Sequence, residues 1–336
     1  MNSRFVRGAV MLLSLWLVVM PLYSGAAADS TQANKTTDVL EALGFPALFS
    51  GEELPDSSKS REGSLERTAG WYSDVSLPDV FTLAQKLEED RWYFTGDQAL
   101  KGRSTLMARY DLKSRRLQLI LTVDHDKAVW PEVLTPRLAC TTPAFTGGTF
   151  VSSGPLEIPD RVDSVRLVYE GVKPEDVQAY AALLGQAGYE PRQMNGDGAE
   201  YVKSLRFVRL AYLAQVERLD ITVGEFLVYY APLPPWPDPL PEQLKRLMPP
   251  VAARQRVDIV QSGYLAEVTD IPLFSLYRFV HSAGQHYGWA AMGDDAVMSH
   301  SESGLRLEVL AWNTDTHRLL FLLDGDIAAL FPTPGP

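Results

Sequence analysis

Apolar residues recur at i, i+3, i+4 and i+7 in three places along the chain: Val80, Leu83, Ala84 and Leu87; Val177, Tyr180, Ala181 and Leu184; Leu273, Leu276, Tyr277 and Val280. That spacing lines one face of a helix. The first helix is announced by Ser76-Leu77-Pro78-Asp79, an S-x-x-D capping box. The second opens at Lys173-Pro174-Glu175-Asp176, with proline where a missing N–H is tolerated. The third opens at Asp270-Ile271-Pro272.

Each helix lies between strand patterns. Thr68 to Ser73, Val165 to Glu170 and Tyr264 to Val268 read as strands before the helices. Thr105 to Tyr110, Phe207 to Leu213 and Leu305 to Trp312 read as strands after them. Short turns then lead into strands that begin Arg116-Leu117, Arg218-Leu219 and Arg318-Leu319. Leu117, Leu119, Leu121 and Val123 alternate with Gln118 and Thr122, and Leu219, Ile221 and Val223 with Asp220 and Thr222. Such alternation gives one buried and one wet face. The last of these strands, Leu319 to Leu323, is apolar on both faces and needs two covers: its own helix, and then a neighbouring module, the tail Ile327 to Phe331 or a partner. An aromatic follows every helix (Trp92, Tyr189, Trp289), a placement that suits a core plug closing the module.

The pattern predicts an α+β fold of three tandem strand-helix-strand-strand modules with antiparallel sheets, packed on one another. Units of about 60 residues are marginal alone, which argues for mutual packing. The modules are expected at 63–130, 161–230 and 257–326. A linker at 131–160 and a proline-rich linker at 231–256 separate them, and a tail covers 327–336. Ahead of the first module, 29–62 forms an N-terminal segment with a short helix at Thr37 to Leu43, ended by Gly44. Tyr229, Tyr230 and Trp236 stand in or beside the proline run. They are the candidate partner-binding residues, because proline holds an extended chain and aromatics dominate contact hot spots. The competing expectation is a stiff spacer laid across the surface.

Residues 1–28 add an address. Arg4 and Arg7 precede an apolar run from Ala9 to Tyr23, and Ala26 and Ala28 provide small residues for cleavage. That is the order of a secretory signal peptide, and the run is too short for a membrane span of about 20 residues. Mature protein would begin near Asp29, with no transmembrane segment, in the periplasm or outside the cell. Cleavage would remove 2 of 31 Lys and Arg and none of 42 Asp and Glu, taking the net charge from −11 to −13. A surface of that sign excludes nucleic acid and anionic lipid as broad partners. The single Cys140 precludes an intrachain disulfide and reads as a small buried or half-buried side chain.

Candidate chemistry is sparse. His281 and His286 are five apart and share no helical face, and Asp124-His125-Asp126 reads as a solvated turn at a strand end. Gly293-Asp294-Asp295 and Asp324-Gly325-Asp326 do not continue into a calcium loop. No catalytic residues, metal site or cofactor are expected. The function expected is that of a non-enzymatic cell-envelope protein binding another protein or a cell-surface polymer. Two alternatives stand beside it: a small-ligand or lipid binder with a cavity between modules, and a carboxylate-based hydrolase.

Overall fold

The computed structural model describes residues 38–325 apart from 47, 49–52, 56, 194–197, 229–232 and 262. Residues 1–28, expected to form a signal peptide, Tyr229, Tyr230 and the tail Ile327 to Phe331 lie outside the described residues. No described helix is long and apolar enough to cross a membrane.

The first described element is α1 (Val39–Ala42), where Asp38 accepts the Leu40 N–H at 3.0 Å and Val39 and Leu40 are buried. Gly44 follows at φ +82°, a left-handed turn that ends the helix. The first module then runs β1 (Ser58–Glu62), β2 (Leu65–Tyr72), α2 (Leu77–Glu89), β3 (Tyr93–Thr95), β4 (Gln98–Lys101), β5 (Ser104–Asp111) and β6 (Arg116–Asp124). Its sheet is antiparallel, in the order β1-β2-β6-β5-β4-β3. The capping box forms as its spacing requires: Ser76 Oγ accepts the Asp79 N–H at 3.2 Å, and Asp79 accepts the Ser76 N–H at 2.9 Å. Val80, Leu83, Ala84 and Leu87 are all buried.

After α3 (Pro136–Thr141) the second module repeats the plan. It comprises β7 (Thr149–Pro155), β8 (Arg161–Glu170), α4 (Pro174–Gln186), β9 (Glu190–Gln193), β10 (Gly198–Lys203), β11 (Arg206–Leu213) and β12 (Arg218–Phe226), in the sheet order β7-β8-β12-β11-β10-β9. The third module follows α5 (Glu242–Lys245) with β13 (Arg254–Val260), β14 (Gly263–Thr269), α6 (Leu273–His286), β15 (Val297–Ser299), β16 (Arg306–Ala311) and β17 (Leu319–Asp324). Its sheet has five strands in the order β13-β14-β17-β16-β15. Where the first two modules have a sixth strand, the third has a single bridge between Trp289 and His300. Trp92, Tyr189 and Trp289 are buried, as core plugs should be.

The fold is therefore α+β with three similar antiparallel sheets, and each sheet holds more strands than the periodicity shows. The leading edge strands β1, β7 and β13 carry little apolar alternation. The short strands β3, β4, β9, β10 and β15 sit between each helix and its hairpin. The stretches read as linkers also contain structure, namely α3 with β7 and α5 with the start of β13.

Burial divides the modules unequally. One continuous cluster joins the first and third, whereas the second has its own, built from Leu167, Tyr169, Tyr180, Leu184, Leu219, Ile221 and Val223 with Trp130, Leu138 and Phe145 from the connector. Across the seam between the first and third modules, Phe94 stacks on Phe274 with centroids 4.1 Å apart, and Phe81 meets Tyr277 at 6.0 Å. Tyr277 donates a hydrogen bond to Glu88 at 3.1 Å. On β17, Leu319, Phe321 and Leu323 are buried while Leu320 and Leu322, on the other face, are half-buried.

Candidate functional site: an open edge and sheet face of the second module

Of the residues singled out in the proline run, Trp236 is the one described, and it is 2% exposed. Its indole Nε1 donates to the Pro249 carbonyl at 2.9 Å, and its ring lies edge-on to Phe321 at 5.6 Å and near Phe279. A ring sealed in this way offers no surface to a partner. The docking role expected for Trp236 is corrected to that of a lid on the third module's core, closed together with Leu240, Leu244 and Met248.

The second module presents a different kind of opening. Strand β7 lies at the edge of its sheet, and all of its residues except half-buried Gly154 are exposed. Edge strands are templates for further pairing, and charged side chains blunt them. The edges β1 and β13 carry Lys59, Arg61 and Glu62, and Arg254, Arg256 and Asp258. Strand β7, Thr-Phe-Val-Ser-Ser-Gly-Pro, carries no charge at all. A bulge between Phe150 and Ser152 turns Val151 outward, to 49% exposure. Gly148 sets the entry: its φ is +62°, and a Cβ there would lie 2.6 Å from the Glu170 carbonyl oxygen. Only glycine makes that approach to β8.

Behind β7, one face of the sheet is packed by α4 and the connector. The register puts Gly154, Arg166, Thr222, Arg209, Glu200 and Arg192 in one cross-strand row on the other face. Arg218 and Asp220 share that face, as does Arg161. Five arginines thus gather around two carboxylates. Arg166 and Arg218 both bind Asp220, the latter at 2.9 Å. Glu200 holds Arg209 at 3.1 Å and lies 3.9 Å from Arg161, whose guanidinium sits 3.8 Å over the Phe226 ring. The acids are sunk and the bases stand above them: Asp220 is 14% exposed at its side chain, against 44% for Arg166 and 34% for Arg218. Hydrogen bonding to Asp220 raises the pKa of Arg218 still further. Glu170 and Glu190 lie at opposite ends of the face. In an acidic chain this patch has an outward positive surplus.

Two other places were candidates. A surface groove of ≈ 400 Å³ lies between α2 and α6, lined by Phe81, Val280, Trp289, Met292 and Met298, with Gln85 and His281 among its polar groups. None of its lining residues is an acid, lysine or arginine. Three of the five histidines meet a polar side chain of the fold. His125 lies 3.4 Å from Glu66, His300 is buried and bonded to Ser303, and His317 reaches Asp97. Among the described residues, no group of three or more His, Cys, Asp or Glu could hold a metal ion. Resolved shifts of carboxylates run downward, Glu66 through its bond to Lys59, Glu89 to Lys86 and Asp90 to Lys101. A general acid needs the opposite direction. Cys140 is half-buried, with Sγ 3.4 Å from the Leu100 carbonyl, and burial raises its thiol pKa.

The open edge and the arginine face were missed because their signals are weak along the chain. Leu138 to Leu156 contains no charged residue in a chain that is 22% charged, but its prolines and glycines read as a linker. The arginines are spread over four strands, two on β8 and one each on β9, β11 and β12, and only the register gathers them. Comparison with protein-family models, with curated proteins and with solved structures finds no match in any of the three.

Proposed function

We propose that this chain is an exported, non-enzymatic binding protein of the cell envelope, and that its second module accepts a strand from a partner protein along β7. The observation that carries this reading is the exposed, uncharged edge of β7 beside two charge-protected edges on the same molecule. Strand addition uses main-chain hydrogen bonds for affinity and alternate side-chain positions for specificity. The separate core of the second module supports the same reading, since that module can engage a partner without disturbing the shared core of the other two.

The test places a photo-crosslinking residue at Ser153 on β7 or at Ser60 on β1, in cells. A discrete adduct from Ser153, absent from Ser60 and lost in a Val151→Asp background, is the expected result. Equal labelling from both edges, or an adduct indifferent to Val151→Asp, overturns it. N-terminal sequencing tests export: the mature chain should begin within a few residues of Asp29, and an intact Met1 in a membrane fraction contradicts cleavage.

The groove between α2 and α6 favours a second reading, a site for a small uncharged ligand between modules. Its volume falls within the roughly 300–1,000 Å³ range of small-molecule pockets. Filling it with Met292→Trp should abolish any ligand-induced rise in melting temperature found in a screen of neutral apolar compounds.

A further inference from the structure

The chemistry of the strand that β7 would accept is written on the face beside it. We infer that the partner segment is acidic, with Asp or Glu placed opposite the Arg166 row. The inference rests on the reading of β7 as an acceptor edge and names the partner's chemical class.

A strand added at β7 would lie two strand spacings, about 10 Å, from β8. Its alternate side chains would point to the arginine face. Opposite Glu170, Val168 and Arg166, β7 places Thr149, Ser152 and Gly154 on that face, all small. In the Arg166 row the β7 residue is Gly154, so no side chain separates an incoming carboxylate from the guanidinium. Arg218 holds Asp220 through two hydrogen bonds, Nε to Oδ1 at 2.9 Å and Nη2 to Oδ2 at 3.4 Å, whereas Arg166 meets it through Nη2 alone. A carboxylate arriving across β7 can take the donors that Arg166 has to spare. Glu170 pairs across strands with both Thr149 and Arg218. It repels an acid at that end and so shifts the matching charges toward the Arg166 row.

The same face disfavours basic strands. Such a segment would bring its cations against Arg166, while the sunk Asp220 stays covered. Repulsion of the wrong charge and attraction of the right one act together here.

The probe is a ten-residue peptide alternating Glu and Thr, titrated into the purified mature protein, with three companions. One alternates Lys and Thr; one is the Glu-Thr peptide N-methylated at alternate residues, which keeps the charge but loses ladder donors; the third is dextran sulfate. The Glu-Thr peptide should bind, more weakly as salt rises, and the Lys-Thr and N-methylated peptides should not. Reversing Arg166→Glu and Arg218→Glu together should weaken binding at least tenfold and transfer it to the Lys-Thr peptide. Loss of an ion pair inside the fold cannot produce that exchange. Should the reversed protein melt early, Arg166→Gln with Arg218→Gln replaces it, with the same loss expected and no transfer.

Unchanged affinity in the charge variants overturns the acidic assignment, and continued crosslinking from Ser153 then leaves the β7 reading standing. Equal binding of the N-methylated peptide, or dextran sulfate competing fully with it, shows a site for anions of any form. That result overturns this inference and strand addition together.

Discussion

The carboxylate of Asp97, in the turn between β3 and β4, accepts the backbone N–H of Leu273, the first residue of α6, at 2.8 Å. Its second oxygen meets His317 Nε2 at 2.5 Å. The residue before α6 is Pro272, which provides no side-chain cap. The third module's helix is therefore capped by the first module, across 176 positions of sequence.

Asp97→Ala should accordingly destabilise the protein by about 1–2 kcal/mol, the usual cost of a lost cap. Asp97→Asn keeps an acceptor oxygen and should cost less. Denaturant midpoints at a constant slope measure both; equal losses for the two variants would show that the contact with His317 matters and the cap does not.

The shared core makes a prediction about cooperativity. Val80 and Leu273 are buried in the same cluster, so Val80→Asp or Leu273→Asp should unfold the first and third modules together. An unpaired buried carboxylate costs several kcal/mol, comparable to the roughly 5–15 kcal/mol stability of a domain. Val177 is only half-buried against the second core, and Val177→Asp should be milder and confined to the second module. Hydrogen exchange resolved by peptide separates these patterns. Protection of β14 and α6 that survives Val80→Asp would mean the two modules are independent.

Trp236→Ala empties a fully enclosed site against Phe279 and Phe321. A loss of about 3–5 kcal/mol is expected, as for other large-to-small core changes. Thermal melting of the purified variant reports it. A melting temperature unaltered by the change would return Trp236 to the surface.

Burial raises the pKa of several tyrosines: Tyr169 is pushed up to about 12, and Tyr72, Tyr110, Tyr180 and Tyr277 are shifted in the same direction. A raised phenol pKa means that the folded state holds the proton more tightly than the unfolded one. The resulting stability is complete below about pH 10, the unfolded value, and falls as pH climbs from there toward 12 and beyond. Melting temperature should hold to about pH 9.5 and then decline, with tyrosinate absorbance rising together with unfolding. Tyrosinate appearing well before loss of structure would place these rings nearer to water.

The sequence by itself determined the three helices, the strand before each and the hairpin after each. Helical and strand periods come from local backbone geometry, and one buried face leaves its mark every 3.6 or 2 residues. Ser76 with Asp79, and Asp38 ahead of Val39, are caps legible within four residues. The plugging aromatics were legible too, because each closes the module it follows. Only the tertiary structure decided what these elements meet. Edge strands such as β7 have one neighbour and no helix packed on them, so little selects for alternation there. Trp236 looked available among prolines, and a core formed far along the chain buried it. The arginines are scattered at separations that no linear pattern joins; Arg166 and Arg192 share a row because four intervening pairings place them there. Which module caps α6, which modules fuse and which sheet edge stays open depend on contacts between residues distant in sequence, and a local period carries no record of those.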